Sequence, residues 1–519
     1  MTEQTTGRVW IGLDLGTQSA RALAVADDGT PIAAAARPLR SHRDGVRHEQ
    51  DPAQWWPALA DALSEVTGQL GDPGAVGGVA LCATSGTVLL TDPDGTPRTP
   101  ALMYDDTRAG DLTQEAQDAG AALWERLAYR MQPAWALPKL LWWRDEGLLR
   151  DGARLAHQAD LITARLVGRP VPADSSHALK TGYDLLDERW PDDVLDRLHV
   201  DPAVLPPVVR AGSVLGEIGA AAAQETGLPA GTPVVGGMTD SCAAQLGAGA
   251  LSPGEWNTVL GTTLALKGVS RTLLHDPTGA LYSHRAPYGD FWLPGGASGT
   301  GAGVLTAVLP GADLPALTEG ASRISARSGE VPLCYPLAVE GERFPFVAPQ
   351  ARAFLVGDDG DGALERGRVD DATLFAAICH GTAHLERLCF DLLHLTGADV
   401  DGPVSLTGGG ARNPWWNQLR CDVLGVPVRV PADAEGALGM AVLAAGAMDD
   451  DVPGAAKRLV RLDRTLDPDP RRRAALAEDH VAFVDALQRR GWLDPTLAEH
   501  ARTRATTPDT APTAATEEN

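Results

Sequence analysis

Val234-Val235-Gly236-Gly237-Met238-Thr239-Asp240-Ser241-Cys242-Ala243-Ala244 is the stretch of this sequence that decides its fold. An apolar run leads into a pair of glycines, and one acidic residue then precedes a run of small residues. This order predicts a buried strand, a tight turn and the start of a helix. Asp240 then lies at the carboxyl end of the strand, where a carboxylate is either an N-cap or a catalytic base. Other segments of the chain are needed to distinguish the N-cap role from the catalytic role.

Length and composition indicate a globular protein with two large domains. The chain has 519 residues, of which 44% are hydrophobic, enough for more than one core. Its formal net charge of −24 argues against nucleic acid and against an anionic membrane surface as partners. We expect an anionic ligand to be met by backbone amides, a metal ion or a few arginines, since a lysine-rich patch is not available. The chain contains only the lysines Lys139, Lys180, Lys267 and Lys457.

The cysteines and the amino terminus predict a soluble, cytoplasmic protein. The six cysteines are scattered without a C-x-x-C pair, which is typical of reduced, mostly buried thiols. Residues 1–8 are polar and contain no apolar signal segment. No apolar run approaches the length needed to span a bilayer.

Two consecutive hairpins are predicted at the start of the chain. A Gly-Thr turn separates the first strand from the second, and Asp27-Asp28-Gly29 closes the next turn. Asp14 ends the first strand and Thr17 lies in the turn. Backbone amides there can converge on phosphate oxygens while the carboxylate faces a hydrated Mg²⁺. Taken alone, D-x-G-T is also common in ordinary turns.

The same unit recurs about 245 residues later, which indicates an internal repeat. Residues 256–266 again contain a strand, a Leu-Gly-Thr turn and a second strand. Each copy is followed by strands and helices and then by a glycine cluster, Gly236-Gly237 in the first half and Gly408-Gly409-Gly410 in the second. Two such α/β halves facing each other would place two Gly-Thr turns on opposite sides of a cleft. That geometry suits a nucleoside triphosphate.

Three further segments bear on the function and on the domain limits. Thr84-Ser85-Gly86 interrupts a buried strand and offers hydroxyls that suit a polyol, although a bulge explains the break equally well. His380 and His384 stand at i and i+4 on a predicted helix, but no Glu follows His380, which favours a structural role. The composition beyond Pro495 predicts a disordered tail over residues 496–519.

In this order the motifs resemble the FGGY carbohydrate kinases over nearly all of residues 9 to 450. The segments that carry the resemblance are Gly12 to Thr17, Glu49-Gln50-Asp51-Pro52 with Trp55-Trp56, Asp106 with Arg108, Gly236 to Asp240, Leu260 to Thr263, and Thr407 to Ala411 with Asn413. The resemblance implies an α/β protein with the actin-like ATPase fold, in which two ribonuclease-H-like domains flank a cleft. It implies a sugar-binding domain over residues 8–249, which contains the catalytic aspartate, and a nucleotide-binding domain over residues 250–495.

The resemblance also implies a role for each candidate residue, with ATP and Mg²⁺ as cofactors and a small sugar as partner. Asp240 would accept the proton of the attacking sugar hydroxyl, a step usually worth about 10²–10⁴-fold in rate. Asp14 would hold Mg²⁺ through water. The turns would neutralise phosphate charge through Thr17, Gly261, Thr262 and Thr263. Adenine and ribose would lie against Gly408, Gly409, Gly410 and Asn413, and the sugar would contact Ser85, Asp106 and Asp240. A homodimer is compatible with these features.

The resemblance favours D-ribulose, phosphorylated at its terminal hydroxyl. Familiar xylulokinases have Met-His-Gly where this chain has Ala83-Thr84-Ser85-Gly86, and Asp-Asn where it has Asp240-Ser241. Segments that look like the branch of D-ribulose kinases are Gly237 to Asp240, Ala178 to Asp184, Tyr282 to Arg285 and Gly341 to Pro345. Xylulose or a related polyol is the alternative acceptor.

An alternative from another class is an actin-like nucleotide switch, in which ATP changes a partner-binding surface and no small molecule is phosphorylated. It predicts ATP hydrolysis without stimulation by sugar and an Asp240→Asn variant without effect. Other kinase classes are excluded by their motifs, because no G-x-x-x-x-G-K-[ST] occurs and His42-Arg43-Asp44 lacks the following asparagine of a protein-kinase loop.

Overall fold

The structure, a computed structural model, describes residues 7–324, 330–357 and 360–506. The strands of the first half are β1 (Val9–Leu15), β2 (Ser19–Ala26), β3 (Pro31–Pro38), β4 (His42–Asp44), β5 (Arg47–Gln50), β6 (Val76–Ala83), β7 (Val88–Thr91), β8 (Ala101–Leu102), β9 (Arg154–His157), β10 (Ala173–Asp174), β11 (Val208–Val209), β12 (Val214–Glu217) and β13 (Pro233–Val235). Its helices are α1 (Trp55–Thr67), α2 (Thr113–Ala119), α3 (Ala121–Arg126), α4 (Ala136–Asp145), α5 (Gln158–Val167), α6 (Ser175–Ala178), α7 (Asp192–Arg197), α8 (Ala220–Thr226) and α9 (Asp240–Gly247).

The second half repeats this mixture of strands and helices. Its strands are β14 (Trp256–Leu260), β15 (Leu264–Gly268), β16 (Tyr282–Arg285), β17 (Trp292–Ser298), β18 (Cys334–Tyr335), β19 (Phe354–Gly357), β20 (Gly360–Gly362), β21 (Val404–Thr407), β22 (Val428–Pro431) and β23 (Leu462–Leu466). Its helices are α10 (Gly303–Val308), α11 (Leu314–Ser322), α12 (Asp371–Leu395), α13 (Pro414–Leu424), α14 (Gly436–Asp449), α15 (Val452–Leu459), α16 (Pro470–Arg489) and α17 (Pro495–Thr506).

The main sheets of the two halves share one topology. The first has the order β3-β2-β1-β6-β13-β12, and the second has the order β16-β17-β15-β14-β21-β22-β23. In each, the central strand pairs antiparallel with its hairpin partner and parallel with a strand that comes much later in the chain. The next strand outward, β13 or β22, is again parallel. The predicted internal repeat is therefore confirmed.

The central strand β1 is buried along its whole length because helices cover both faces of the sheet. Helix α1 packs on one side, preceded by the predicted start at Asp51, whose side chain accepts the Ala53 amide at 3.0 Å. Helix α14 packs on the other side. Gly12 permits this approach, because a Cβ there would lie 1.7 Å from the carbonyl oxygen of Ala437. Its lack of a side chain thus brings α14 directly onto the strand.

Helix α14 lies between β22 and β23 of the second sheet in sequence, yet it packs on β1 and β6 of the first sheet and on α9. Small residues allow α9 and α14 to touch by their backbones. A Cβ on Gly439 would lie 1.8 Å from the carbonyl oxygen of Ala243, and one on Gly247 would lie 2.9 Å from that of Glu435. The α9–α14 pair is therefore the packed connection between the two halves.

Gly237 gives the first testable prediction. A Cβ there would lie 1.7 Å from the carbonyl oxygen of Leu81, which belongs to the backbone of β6 and cannot rotate away. We expect Gly237→Ala to lower the free energy of unfolding by about 3 kcal/mol, the upper part of the usual range for overpacking. Urea unfolding measures this change. Gly71→Ala is the control, because nothing lies within 4 Å of its added Cβ; equal midpoints for the two variants would contradict the prediction.

The carboxyl-terminal region differs from its prediction. Residues 495–506, of which 496–506 were predicted to be disordered, form α17, which packs against α12 and α16. Leu497, Ala498 and Ala501 are buried on one face, and the Asp494 carboxylate accepts the Thr496 amide at 2.8 Å. The prediction failed because it used the average composition of the tail, which does not show a short apolar face. The rest of the predicted tail, residues 507–519, lies outside the described part of the chain.

Two simpler predictions can be compared with the structure. All six cysteines are free and buried, as the sequence predicts. Among the described residues, no helix combines the length and apolarity that crossing a membrane requires.

Candidate active site

Three parallel strands of the first sheet end at the same edge and bring the predicted site residues together. Leu15 of β1 pairs with Ala83 of β6, and Ala83 forms a parallel bridge with Thr239. Because the carboxyl ends of parallel strands form the usual ligand-binding edge of an α/β sheet, Asp14 and Asp240 lie at a position suited to a ligand. The loop that begins at Thr84 leaves from the same edge. This arrangement follows from the topology.

The second sheet presents an equivalent edge. Val259 of β14 pairs with Thr407 of β21, so the Gly261-Thr262-Thr263 turn and the Gly408-Gly409-Gly410 turn lie side by side. Thr262, Gly408 and Gly409 are exposed. Gly408 has φ +82°, and a Cβ there would lie 2.7 Å from the carbonyl oxygen of Leu260, so the turn requires a glycine. Exposed backbone amides on this edge are available to an anionic ligand.

The start of α14 brings the second half against the first at this site. A Cβ on Gly436 would lie 2.9 Å from Cys82 Sγ and 3.5 Å from Asp14 Cγ. The preceding residue, Glu435, has a carboxylate oxygen 3.6 Å from Arg21 Nη1, and the same Nη1 lies 3.6 Å from Asp14 Oδ2. The site therefore includes residues of both halves.

Asp240 is the first residue of α9, and its carboxylate is exposed to the space between the halves. Thr239 occupies the N-cap position, which removes the alternative that Asp240 is the cap. Asp240 Oδ1 accepts the Ser241 amide at 2.7 Å. Although the carboxylate is reached by solvent, the surrounding walls exclude most bulk water, and this desolvation raises the pKa of Asp240. The Ser241 amide and the Lys180 ammonium partly offset the shift.

Asp14 lies at the end of β1 with two long contacts and no close ion pair. Its Oδ1 is 3.5 Å from Cys82 Sγ, and its Oδ2 is 3.6 Å from Arg21 Nη1. Burial, followed by the charge of Asp240, raises the pKa of Asp14 to about 6. Two carboxylates that repel each other in a desolvated site fit a divalent cation, since the cation would relieve the repulsion and prefers oxygen ligands.

The loop after β6 is fixed by two lysines. Lys180 Nζ donates to the carbonyl oxygen of Ser85 at 3.1 Å, and Lys139 Nζ donates to those of Gly86 and Met103 at 3.0 and 2.6 Å. Among the described residues, the buried Ser85 Oγ has no hydrogen-bond partner. A buried hydroxyl without a partner is costly unless a ligand or water completes it. This geometry agrees with the predicted role of Ser85 in substrate binding.

Asp106 is held by protein groups in this structure. It is fully buried, and its carboxylate accepts the His48 amide at 2.7 Å, the Arg108 amide at 3.1 Å and Arg108 Nη2 at 2.7 Å. Its side chain thus anchors the loop through the predicted pair with Arg108. Its contact with the substrate stays a prediction.

Asn413 fixes the start of α13 beside α11. Its Oδ1 accepts the Trp416 amide at 3.2 Å as the N-cap of α13, and its Nδ2 donates to Thr318 Oγ1 at 2.9 Å. Both polar ends of the side chain thus have a protein partner. Its contact with the nucleotide stays a prediction.

The sequence analysis missed the cations near Asp240. Lys180, His177 and Lys267 are all close enough for their charges to lower the pKa of Asp240. A chain with four lysines was expected to lack a lysine cluster, yet three of them lie in this region: Lys139, Lys180 and Lys267. The sequence did contain an indication that these lysines are buried: an apolar residue directly precedes Lys180 and Lys267 and directly follows Lys139.

The sequence matches one family over both halves. Residues 9–247 match the N-terminal domain of the FGGY family of carbohydrate kinases, and residues 257–448 match its C-terminal domain. A xylulose kinase of Streptomyces coelicolor is 32% identical over 464 residues, which cover 87% of this chain and 91% of that protein. A xylulose kinase of Klebsiella pneumoniae is 28% identical over 497 residues, covering 92% of this chain and 98% of that protein.

Solved structures agree with the sequence match. The crystal structure of a xylulose kinase from Rhodospirillum rubrum superimposes with a TM-score of 0.82 at 26% sequence identity, covering 94% of this chain and 100% of that chain. The predicted fold class, an actin-like ATPase fold of two ribonuclease-H-like domains, is therefore confirmed.

Proposed function

This chain belongs to the FGGY family of carbohydrate kinases, and from that premise we propose that it transfers the γ-phosphoryl group of ATP to the terminal hydroxyl of a pentulose. The observation that carries the proposal is the position of Asp240. Its carboxylate is exposed, lies at the same sheet edge as Asp14 and is close enough for its charge to raise the pKa of Asp14. The Gly261-Thr262-Thr263 turn supplies the phosphate-binding amides from the second half. A base, a cation ligand and a phosphate-binding turn are the parts that phosphoryl transfer requires.

Each part has a defined task in the transfer. Asp240 accepts the proton of the terminal hydroxyl while that oxygen forms its bond to the γ-phosphorus. The bond from the γ-phosphorus to the bridging oxygen breaks, and ADP leaves. The amides and hydroxyls of Thr17 and of the Gly261-Thr262-Thr263 turn neutralise the charge that spreads over the phosphoryl oxygens. Asp14 would hold Mg²⁺, which supplies charge neutralisation for the phosphates when it is bound.

Closure of the halves would protect the reaction from water. The acceptor site lies on the first half and the glycine turns lie on the second, so the two substrates approach from different halves. Bringing them together expels water that could otherwise accept the phosphoryl group.

D-ribulose is the acceptor that we propose. The loop after β6 differs from the Met-His-Gly of familiar xylulokinases, and Thr84 Oγ1 is held by Gln158 Oε1 at 2.7 Å rather than facing the cleft. Ser85 Oγ is then the hydroxyl of this loop that remains for the sugar. D-xylulose is the second candidate, supported by the names of the relatives from Streptomyces coelicolor and Klebsiella pneumoniae.

A coupled assay of ADP release tests this proposal. The acceptors are D-ribulose, D-xylulose, L-ribulose, ribitol and glycerol, each with ATP and Mg²⁺. We expect D-ribulose to give the highest kcat/KM, at least about 10-fold above glycerol, because a pentulose offers more hydroxyls to the site.

The same assay distinguishes the alternatives. A preference for D-xylulose would retain the transfer chemistry and change the acceptor. ATP hydrolysis that no acceptor stimulates above water would reject the pentulose assignment and favour a nucleotide switch.

A further inference from the structure

Lys267 lies on β15 with its side chain 6% exposed and directed across the sheet. It pairs with Gly295 of β17, and Gly295 pairs in turn with Tyr282 of β16. A Cβ on Gly295 would lie 3.2 Å from Lys267 Nζ. The glycine therefore makes room for the ammonium group between two strands, and Nζ ends 5.5 Å from the centre of the Tyr282 ring.

The ammonium group of Lys267 has no close anionic partner among the described residues. Its Nζ makes no hydrogen bond or ion pair there and contacts the face of the Tyr282 ring, while Asp240 acts on it only at longer range. Burial of an ammonium group is strongly unfavourable unless hydrogen bonds and an opposite charge compensate it. An aromatic ring supplies only part of that compensation. The ammonium group therefore remains available for a direct contact with an anionic ligand.

A second lysine reaches the same ring from the other half. Lys180 Nζ lies 5.7 Å from the centre of the Tyr282 ring and donates one hydrogen bond to the Ser85 carbonyl oxygen. Desolvation lowers the pKa of Lys180 to about 8, with Asp240 opposing the shift and Lys267 adding to it. Arg343, which donates to the Ala297 carbonyl oxygen, adds a third cation at the rim. Lys180, Lys267 and Arg343 thus place three positive charges in the same region as Asp240.

We propose that Lys267 and Lys180 form a subsite beside Asp240 for an anionic oxygen group. Two sources have this chemistry: the γ-phosphoryl group as it leaves ATP, and a carboxylate on the acceptor sugar. The two ammonium groups come from different halves and meet at one ring, so the subsite is complete only where the halves adjoin. The inference rests on the proposed phosphoryl transfer but not on the identity of the pentulose.

The test compares Lys267→Met and Lys267→Arg with Lys457→Met, which changes an exposed lysine on α15. Calorimetry in the presence of Mg²⁺ measures the Kd of ATP and of ADP for each full-length variant. Steady-state assays measure kcat and KM for D-ribulose and for D-ribonate, its five-carbon carboxylate analogue. Thermal unfolding of the ligand-free protein measures how the unpaired charge of Lys267 affects the Tm. Lys180→Met is the second variant if Lys267→Met does not fold.

The results separate the two sources. If the anion is the phosphoryl group, Lys267→Met weakens ATP binding and lowers kcat by about 10-fold or more while the Kd of ADP stays unchanged. If the anion is a carboxylate, the wild-type protein prefers D-ribonate to D-ribulose and Lys267→Met loses that preference, with nucleotide binding unchanged. In both cases Lys267→Arg keeps most of the function, and Lys267→Met raises the Tm of the ligand-free protein.

The proposal is overturned if Lys267→Met and Lys180→Met match Lys457→Met in ATP affinity, ADP affinity, acceptor preference and Tm. Nucleotide binding and Tm are measured without turnover. Failure of the anion subsite can therefore be distinguished from failure of the proposed pentulose kinase, which would appear as absent acceptor stimulation in the wild-type protein.

Discussion

Replacing Asp240 with asparagine is expected to lower kcat by about 10²–10⁴-fold, the usual contribution of a general base. The amide has the size of the carboxylate, and its oxygen can still accept the Ser241 amide that Asp240 Oδ1 accepts at 2.7 Å. The substitution thus removes the proton acceptor and keeps the start of α9 intact. The KM for ATP and for the sugar should change only a few-fold. Steady-state kinetics with the preferred acceptor measures both quantities.

The control for this variant is Asp371→Asn, which changes the first residue of α12, the same helix position as Asp240 on α9, outside the cleft. It should retain wild-type kcat. An Asp240→Asn variant with the activity of this control would exclude Asp240 as the base and support the nucleotide switch.

The pH profile gives the same prediction a second readout. A base must be ionised to accept a proton, and desolvation raises the pKa of Asp240 above 3.8. The kcat/KM of the wild-type protein should therefore fall as the pH falls through this raised pKa. The residual rate of Asp240→Asn should lack that acid limb, because an amide does not titrate in this range. The same limb in both proteins would assign it to another group.

Replacing Asp14 with asparagine is expected to have opposite effects on activity and stability. The folded protein raises the pKa of Asp14 from 3.8 to about 6. At pH 7 the ionised group therefore destabilises the ligand-free fold, and this cost is lost progressively as the pH falls from about 6 to 3.8. A shift of about two pKa units corresponds to roughly 3 kcal/mol, which we treat as an upper bound because Asp14 and Asp240 titrate together. Asp14→Asn should thus be more stable than wild type at pH 7.

Activity should change the other way, because the amide is a weaker ligand for a divalent cation than the carboxylate. We expect the Mg²⁺ requirement to rise by at least about 10-fold. Urea unfolding in EDTA at pH 7 and pH 5 measures the stability, and a Mg²⁺ titration of the rate measures the second effect. The control Asp196→Asn removes an exposed carboxylate from α7 and should change neither. Loss of stability at pH 7 in Asp14→Asn would contradict the argument.

The strands and turns of the site could be predicted because their signals are local. Asp14 lies at the end of an apolar run, and Asp240 follows an apolar run and a glycine turn. The position of a residue at a strand end depends only on that run and the next turn. The repeat of β1 and β2 as β14 and β15 was visible for the same reason. Convergence at one edge then follows from parallel pairing, so the shared sheet edge of Asp14 and Asp240 could be predicted from the sequence.

Side-chain partners could not be predicted in the same way. Asp106 satisfies its oxygens with the His48 amide, 58 residues away in sequence, and Asn413 bonds to Thr318, 95 residues away. No local sequence pattern predicts such distant partners. For Lys267 the sequence analysis wrongly expected no cluster of lysines, because the low number of lysines does not show where the fold brings them together. Roles that depend on which polar atoms remain unpaired become visible only when the backbone is in place.

The placement of α14 has a consequence for how the protein is held together. This helix is encoded with the second half but covers the central strand of the first sheet, where Gly12 lets Ala437 approach. Cutting the chain between the two domains would leave the first sheet with a bare apolar surface and the second with a helix that has nothing to rest on. The two halves are therefore interlocked, and the thermal stability of each depends on the other.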